Sequence, residues 1–258
     1  MNSTNKIKEI YIFDVDGTLT PPRQLVHPNF ASFFTEFASK HQVYLASGSD
    51  LDKIKSQLPE SVLKTVHGIF TCMGNCFYQY GKQIYQNDFV EPDGLRDDLK
   101  EKILSSKYPK RRGNHIEERT GMINFSIVGR NASQEDREDY ASFDKKESER
   151  RLFASVLNTK YKDKITAVVG GEISIDIFNP GKDKSQVLTY LESSDMICPN
   201  TIINFFGDRT EPGGNDFALA SAIKQSKYRN QITRVKSWRD TWKVLLLNEY
   251  TQIKSAKS

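Results

Sequence analysis

The sequence predicts an α/β protein with a parallel-sheet core into which an α+β module is inserted. Near the N-terminus, apolar strand patterns alternate with helical patterns, which is the order that builds a parallel sheet covered by helices. The same alternation returns near the C-terminus. Between these regions, from residue 88 to 186, the chain is richer in charge and its strand patterns form hairpins. We therefore expect the two outer regions to form one domain.

The N-terminal region predicts the first strands and helices of this core. KEIYIF, residues 8–13, is aromatic and β-branched and precedes the turn residues DGTLT, so it predicts a strand. NFASFFTEFASKH predicts a helix with four phenylalanines on one face, namely Phe30, Phe33, Phe34 and Phe37. QVYLASGSD and DLDKIKSQL predict the next strand and helix, and HGIFTCMGNCFYQYG predicts a strand, a turn and a strand.

The middle region predicts two hairpins separated by a helix. YPKRRGNHIEERTGMINFSIVGR predicts two strands joined by a Thr-Gly turn, and ITAVVGGEISIDIFNP predicts two more around a Gly-Gly turn. Between them, SQEDREDYASFDKKESERRLFASVLNTKY predicts one long charged helical stretch. In the C-terminal region, TIINFFGD predicts a strand, GGNDFALASAIK a loop entering a helix, and SWRDTWKVLLLNEY a closing amphipathic helix.

Composition excludes several classes of function. The 258 residues include 37 Lys+Arg and 33 Asp+Glu, and the net charge of +4 is too weak to indicate a nucleic-acid or membrane-surface partner. No segment approaches the roughly 18 apolar residues of a membrane span, and residues 1–13 lack the apolar region of a secretory signal. Three cysteines do not make a disulfide framework. We expect a cytoplasmic protein without nucleic-acid or membrane partners.

Polar side chains follow three of the predicted core strands. Asp14 and Asp16 end the first, Ser47 ends the second, and Asp208 ends TIINFFG. Any one of them is explained equally well as a helix N-cap or turn residue. Ligands of an open parallel sheet bind at the carboxyl ends of its strands, so the three positions together favour one common site.

Clustered carboxylates indicate a cation and a particular chemistry. They raise each other's pKa unless a cation compensates, and Mg²⁺ prefers oxygen ligands of this kind. An EF-hand is excluded, because the glycine of DVDGTLTPPRQL is at the fourth position and Leu25 replaces the terminal glutamate. No P-loop motif is present. The remaining hypothesis is phosphoryl transfer by an aspartate nucleophile, with a second carboxylate as acid/base and a lysine that neutralises phosphoryl charge.

These residues resemble a known superfamily and, within it, a family. FDVDGTLT resembles the D-x-D-G-T motif of the haloacid dehalogenase superfamily, and Ser47, Lys184 and GDRTEPGGND are similar to its other three motifs in the expected order. Longer segments resemble eukaryotic-type phosphomannomutases over nearly the whole chain, namely FDVDGTLTPPRQ, RRGNHIEERTGMINFSIVGRNASQEDR, GGEISIDIF and FFGDRTEPGGND. The resemblance implies a Rossmann-like parallel-sheet core, formed by residues 1–86 and 187–258, and an inserted α+β cap domain, residues 87–186.

The resemblance also implies roles for the residues of the core site. Asp14 would be the nucleophile and Asp16 the acid/base, and Ser47 and Lys184 would complete the catalytic set. Asp14, Asp16 and Asp208 would bind Mg²⁺. Whether Asn215 and Asp216 bind the metal or support the loop stays open.

Six residues are candidates for binding the substrate, namely Arg23, Arg119, Arg130, Arg137, Ser174 and Asp176. Guanidinium groups suit bidentate phosphate binding, although exposed arginines are usually solvated and Arg137 could pair with its acidic neighbours in SQEDRED. Ser174 and Asp176 alternate on one strand, so both can face sugar hydroxyls. The resemblance implies phosphate or sugar contacts at the four arginines.

The implied activity is interconversion of mannose 6-phosphate and mannose 1-phosphate, which supplies GDP-mannose synthesis. It would require Mg²⁺ and mannose or glucose 1,6-bisphosphate as activator. A sugar-phosphate phosphatase of the same superfamily and a non-catalytic sugar-phosphate binder are the alternatives, and the sequence does not decide between mannose and glucose. The resemblance implies a homodimer through the cap, where His115 and Glu118 depart from the family pattern. After residue 217 we find little similarity.

Overall fold

The computed structural model describes residues 8–255. Residues 1–7 and 256–258, which belong to the predicted core segments 1–86 and 187–258, lie outside the described residues. The described chain forms these elements in order: β1 (Glu9–Phe13), α1 (Pro28–Lys40), β2 (Gln42–Ala46), α2 (Leu51–Gln57), α3 (Glu60–Thr65), β3 (Gly68–Thr71), β4 (Cys76–Gln79), β5 (Lys82–Gln86), α4 (Leu95–Ser105), β6 (Ile116–Arg119), β7 (Met122–Phe125), α5 (Gln134–Glu147), α6 (Glu149–Lys160), β8 (Thr166–Gly170), β9 (Ser174–Phe178), α7 (Gln186–Ser193), β10 (Ile202–Gly207), α8 (Phe217–Gln225), β11 (Arg229–Arg234) and α9 (Trp238–Ser255).

The larger sheet has seven strands in the order β11-β10-β1-β2-β3-β4-β5. The first five strands of this order pair in parallel, and β4 and β5 form an antiparallel edge. β1 is central, and its successive side chains face opposite sides of the sheet. Tyr11 and Phe13 pack with α1 and α9, whereas Ile10 and Ile12 pack with α7 and α8. The predicted α/β fold class with a parallel-sheet core is confirmed.

The aromatic face of α1 anchors this sheet. Phe30, Phe34 and Phe37 are buried, and Phe33 is partly buried beside them. The ring of Phe13 meets that of Phe34 edge-on, with 5.0 Å between centroids. The helical spacing of the phenylalanines therefore places their rings against β1, the strand that directly precedes Asp14 and Asp16.

The second sheet is antiparallel, with four strands in the order β6-β7-β9-β8. Both predicted hairpins are present in it. Its core is separate from that of the larger sheet and includes Leu99 of α4, Phe125 of β7, Leu157 of α6 and Ile177 of β9. The chain enters this part after β5 and returns before α7, and the side chains of Asn87 and Gln186 join the two crossings through a 3.0 Å hydrogen bond.

The predicted long helix between the hairpins is two helices. Ser148 lies between α5 and α6 in the left-handed conformation, with φ 55° and ψ 30°. The Asp144 carboxylate accepts hydrogen bonds from the backbone N and the Nε of Arg150, at 2.7 and 2.9 Å. This buried contact turns the chain at Ser148, and the charged sequence carries no glycine or proline that would have indicated the break.

Several elements were not predicted, namely α3, β5, α4, α7 and β11. These elements are short, or their apolar residues recur with little helical or strand periodicity. Their buried faces become evident only once they are seen packed against the sheets. Within the part of the chain that the structure describes, no helix combines the length and the apolar character needed to cross a membrane.

Replacing Ser148 with glycine is expected to stabilise the protein. A left-handed backbone costs an L-residue roughly 1–2 kcal/mol, and the greater freedom of unfolded glycine offsets part of this, so Ser148→Gly should raise the free energy of unfolding by about 0.5–1 kcal/mol in urea titrations. Ser155→Gly, at an exposed position inside α6, is the control and should lower it by about 0.5 kcal/mol. Equal losses in both variants would show that the helix runs through Ser148 without a break.

Candidate active site

The predicted strand-end residues meet at one edge of the larger sheet. Asp14 and Asp16 follow β1, Ser47 follows β2, and Asp208 follows β10. All four line a cavity of about 230 Å³. The opposite wall of the cavity comes from the four-stranded sheet and its loops. The cavity therefore lies where the two sheets face each other.

A fully buried lysine contacts Asp14 from inside the protein. Lys184 Nζ is 2.8 Å from Asp14 Oδ1 and 2.5 Å from Asp216 Oδ1, and Thr18 Oγ1 donates to Asp14 Oδ2 at 3.1 Å. Burial alone would lower the pKa of Lys184, but the carboxylates of Asp14 and Asp216 raise it above its ordinary value. The ammonium group therefore stays charged and fixes the orientation of Asp14.

Three carboxylates form an acidic cluster around this lysine. Asp14, Asp208 and Asp216 each place one oxygen within 4.8 Å of the others. Burial, together with repulsion from Asp216, raises the pKa of Asp208 to about 7. Gly17, with φ +87°, admits this approach, because a Cβ there would lie 2.5 Å from Asp208 Oδ2. Three carboxylates with one lysine leave excess negative charge, and such an oxygen donor set fits Mg²⁺.

The Asp16 carboxylate is outside this cluster. Its oxygens accept four hydrogen bonds, from Arg23 N at 2.7 Å, Gln57 Nε2 at 2.9 Å, Lys53 Nζ at 3.0 Å and Ser49 Oγ at 3.2 Å. Burial alone would raise the pKa of Asp16, but Lys53 and these hydrogen bonds lower it, so the group is ionised. The sequence predicted Asp16 as a metal ligand and left Asp216 open; in the structure it is Asp216 that shares the acidic cluster.

Ser47 is held by the loops on either side of it. Its backbone N donates to Phe70 O, and its carbonyl oxygen accepts from Met73 N, each at 2.9 Å. Its Oγ accepts from Ser49 N at 3.0 Å. The hydroxyl group lines the cavity beside Asp14 with its donor hydrogen still available.

The four predicted arginines converge on the cavity from both walls. Arg119 and Arg130 share Glu117, with Nε 2.9 and 3.2 Å from Glu117 Oε2. Arg137 donates instead to the carbonyl oxygens of Ala132 and Arg130, and none of the salt bridges among residues 8–249 pairs it with its acidic neighbours.

The arginines give this part of the cavity an excess of positive charge. Burial and repulsion from Arg23 and Arg119 lower the pKa of Arg130 to about 10. Burial and the neighbouring Arg137 likewise lower the pKa of Arg23. The lowered pKa values of Arg130 and Arg23 indicate that these cations lie close to other cations, with too few anions to balance them. This part of the cavity therefore suits a phosphate dianion.

Ser174 and Asp176 lie on β9 and are buried in the wall of the cavity. Ser174 Oγ donates to Gly170 O at 3.1 Å, so its lone pairs remain as acceptors. Asp176 Oδ1 accepts from Asn124 Nδ2 at 2.5 Å. The structure thus brings every predicted site residue except Lys184 to the lining of one cavity, and Lys184 contacts one of these lining residues, Asp14.

Sequence reasoning missed Ser49, Lys53 and Gln57 around Asp16, and Glu117 and Asn124 on the opposite wall. Lys53 and Gln57 lie four residues apart on α2, so they share a helix face, and this spacing was a usable signal. Glu117 and Asn124 are cross-strand neighbours in the β6–β7 hairpin. Without the register of the hairpin, nothing in the sequence distinguishes them from surface residues.

Comparisons with known proteins agree with the sequence resemblance. A family model described as eukaryotic phosphomannomutase matches residues 30–247, which extends the similarity past residue 217, where sequence analysis found little. The phosphomannomutase of Dendrobium officinale is 38% identical over 81% of this chain and 84% of its own. Phosphomannomutase 1 of Homo sapiens is 38% identical over 83% of this chain and 84% of its own.

The solved structures show a likeness in fold. A haloacid dehalogenase-like hydrolase from Bacteroides thetaiotaomicron has a TM-score of 0.55 and 14% sequence identity. The match covers 88% of this chain and 94% of that one.

Divalent cation binding should stabilise the folded protein most at neutral and alkaline pH. The carboxyl group of Asp208 titrates near pH 7 when folded but near its ordinary value of about 4 when unfolded. The contribution of protonated Asp208 to the free energy of unfolding is therefore complete below about pH 4 and is lost as the pH rises through 7. Above pH 7 the charged cluster needs a cation to offset its repulsion. Saturating Mg²⁺ should raise Tm by roughly 5 °C or more above pH 7, and by less near pH 5.

Thermal scans with and without Mg²⁺ check this expectation. Asp208→Asn should remove most of the Mg²⁺-dependent increase in Tm. Glu211→Gln, in the same loop but outside the acidic cluster, should keep it. An increase that is the same at every pH and in all three proteins would place the cation elsewhere.

Proposed function

The chain belongs to the eukaryotic phosphomannomutase family, and we propose that it interconverts mannose 6-phosphate and mannose 1-phosphate through a sugar 1,6-bisphosphate. The observation that carries the proposal is the meeting, in one cavity, of a carboxylate fixed by Lys184 with four arginines, three of which lie on the opposite wall. The first can accept a phosphoryl group, and the second can hold the other phosphate of the same sugar.

The two sheets have separate parts in this proposal. Residues 1–86 and 187–258 form the core domain that carries Asp14 and Asp16. Residues 87–186 form the cap domain, which binds the sugar phosphate. The separate hydrophobic core of the four-stranded sheet supports this division, because a part with its own core can move as a unit.

In the first half-reaction, the phosphorylated enzyme transfers its phosphoryl group to a hexose monophosphate. Asp16 is ionised, so it can take the proton from the attacking sugar hydroxyl. The new bond joins the sugar oxygen to phosphorus, and the bond from phosphorus to Asp14 breaks. Lys184 then neutralises the released Asp14 carboxylate. The products are a sugar bisphosphate and a protonated Asp16.

In the second half-reaction, the bisphosphate presents its other phosphate to Asp14. Asp14 attacks that phosphorus, and Asp16 returns its proton to the departing sugar oxygen. Mg²⁺, held by Asp14, Asp208 and Asp216, would reduce the negative charge on the phosphoryl oxygens. Reversal of the sugar requires a phosphate site that accepts either end, and guanidinium groups recognise phosphate whichever carbon bears it.

Three further properties belong to the proposal. Free mannose or glucose 1,6-bisphosphate would act as activator by phosphorylating Asp14. All three cysteines are free, which supports a reducing compartment, and we place the protein in the cytoplasm. We also propose a homodimer through the cap domain.

Asp14→Asn should abolish turnover and leave the fold intact, because an amide of the same shape cannot attack phosphorus. We expect kcat to fall at least about 10³-fold, a barrier increase of roughly 4 kcal/mol. The measurement is the isomerisation of mannose 1-phosphate, with circular dichroism to verify folding. Asp52→Asn is the control, since that side chain is 96% exposed, and it should retain full activity. Near-normal kcat in folded Asp14→Asn would exclude the aspartyl-phosphate mechanism.

The second test separates a mutase from a phosphatase. A mutase must exclude water while the sugar reverses, so it should depend on a bisphosphate primer. With trace mannose or glucose 1,6-bisphosphate, isomerisation of mannose 1-phosphate should be strongly stimulated and exceed phosphate release by at least about tenfold. ³¹P NMR with Mg²⁺ follows both products in one sample. Dominant phosphate release in the presence of primer would replace the mutase proposal with the phosphatase alternative.

A further inference from the structure

Asn124 is a buried cavity residue whose side chain is only half satisfied. It lies on β7, is 2% exposed and lines the cavity. Its Nδ2 donates to Asp176 Oδ1 at 2.5 Å. A carboxylate only accepts hydrogen bonds, so this contact fixes which end of the amide faces Asp176. The other end, Oδ1, is buried without a hydrogen-bond partner among the described residues.

An unpaired buried acceptor is uncommon in folded proteins and requires a reason. The surroundings of Asn124 suggest one. Asn124 is flanked across the sheet by Glu117 on β6 and Asp176 on β9. Glycines border the same space on two sides: a Cβ on Gly170 would collide with the Asp176 carboxylate, and one on Gly48 would lie 3.7 Å from Asp176 Oδ2. The bare backbone at Gly170 thus admits the Asp176 carboxylate, and Gly48 adds no side chain to the cavity wall beside it.

The chemistry of this part of the cavity differs from that of the arginines. Asn124 Oδ1 and the Asp176 carboxylate are both acceptors and stand side by side. They repel the oxygens of a phosphate but suit hydroxyl groups, each of which can donate one hydrogen bond. The arginines, in contrast, offer only donors. The cavity is therefore divided into a phosphate-binding part and a hydroxyl-binding part.

We propose that Asn124 is a specificity-determining residue whose Oδ1 accepts a hydrogen bond from one ring hydroxyl of the bound hexose. This inference rests on the proposed function, in that the ligand is taken to be a hexose phosphate. A site built to pair with a hydroxyl discriminates strongly against a ligand that lacks it, because the buried acceptor is then left unsatisfied. Asn124 would in this way select among sugars that carry the same phosphate.

The test compares mannose 1-phosphate with its 2-, 3- and 4-deoxy analogues. Dissociation constants are measured by calorimetry with Mg²⁺, on Asp14→Asn protein so that no turnover interferes. We expect one analogue to bind at least about tenfold more weakly than the parent sugar, a difference of roughly 1.4 kcal/mol. Asn124→Ala, introduced into the same background, should weaken the parent sugar by a similar factor. It should change the affinity of that one analogue by less than about twofold, since the hydrogen bond is already missing.

Asn158→Ala is the matched control. Asn158 lies on α6 and braces the same sheet through two hydrogen bonds with Ala167, but it does not line the cavity. Any loss it causes should be equal for all four sugars. Equal losses for all four sugars in Asn124→Ala as well would show that Asn124 only positions Asp176, and would overturn the inference.

The series with unsubstituted Asn124 can overturn the inference even if Asn124→Ala does not fold. Equal affinity for the parent sugar and all three analogues would overturn the inference. Binding of mannose 1-phosphate without isomerisation by the active protein would refute the proposed function and leave the inference about Asn124 standing. Failure to bind any hexose phosphate would overturn both.

Discussion

The interaction on which the active site depends is the contact of the buried Lys184 ammonium with Asp14 and Asp216. Three carboxylates converge within 4.8 Å at the edge of the larger sheet, and without a cation their mutual repulsion would oppose folding. Lys184 supplies one positive charge from inside the protein, at 2.8 and 2.5 Å. One positive charge does not balance three carboxylates. The remaining negative charge favours binding of Mg²⁺, which phosphoryl transfer requires.

Lys184 also connects the chemistry to the architecture. It lies on the return crossing from the four-stranded sheet, two residues before α7, whereas its partner Asp14 follows the first strand. On the same crossing, Gln186 is hydrogen-bonded to Asn87 of the outgoing crossing. The crossings to the second sheet are therefore held together only two residues from Lys184, the group that orients Asp14. Displacement of the crossings would alter the electrostatics of the cavity as well as its shape.

The cavity joins walls of opposite charge. The core wall carries the acidic cluster, and the facing wall carries three arginines, of which Arg130 and Arg137 have pKa values lowered by burial and by neighbouring cations. In the proposed reaction, a sugar with a phosphate at either end would be complementary to this polarity, because the arginines would bind one phosphate while Asp14 is presented with the other. The acceptors Asn124 and Asp176 line the same cavity, and we propose that they face the hydroxyl groups of the sugar ring.

The sequence by itself was sufficient for the positions of Asp14, Asp16, Ser47 and Asp208, because each ends an apolar strand pattern and parallel strands present their carboxyl ends at one edge. It was also sufficient for the two hairpins, whose turns are local. Only the tertiary structure decided that Asp216 joins the acidic cluster while the Asp16 carboxylate pairs with Lys53, that Ser148 divides a helix, and that Asn124 retains an unpaired oxygen. These outcomes depend on contacts such as Lys184 with Asp14, which are 170 residues apart. Strand and turn patterns are set by neighbouring residues, whereas such contacts are set by sheet register and by how two separately packed cores meet.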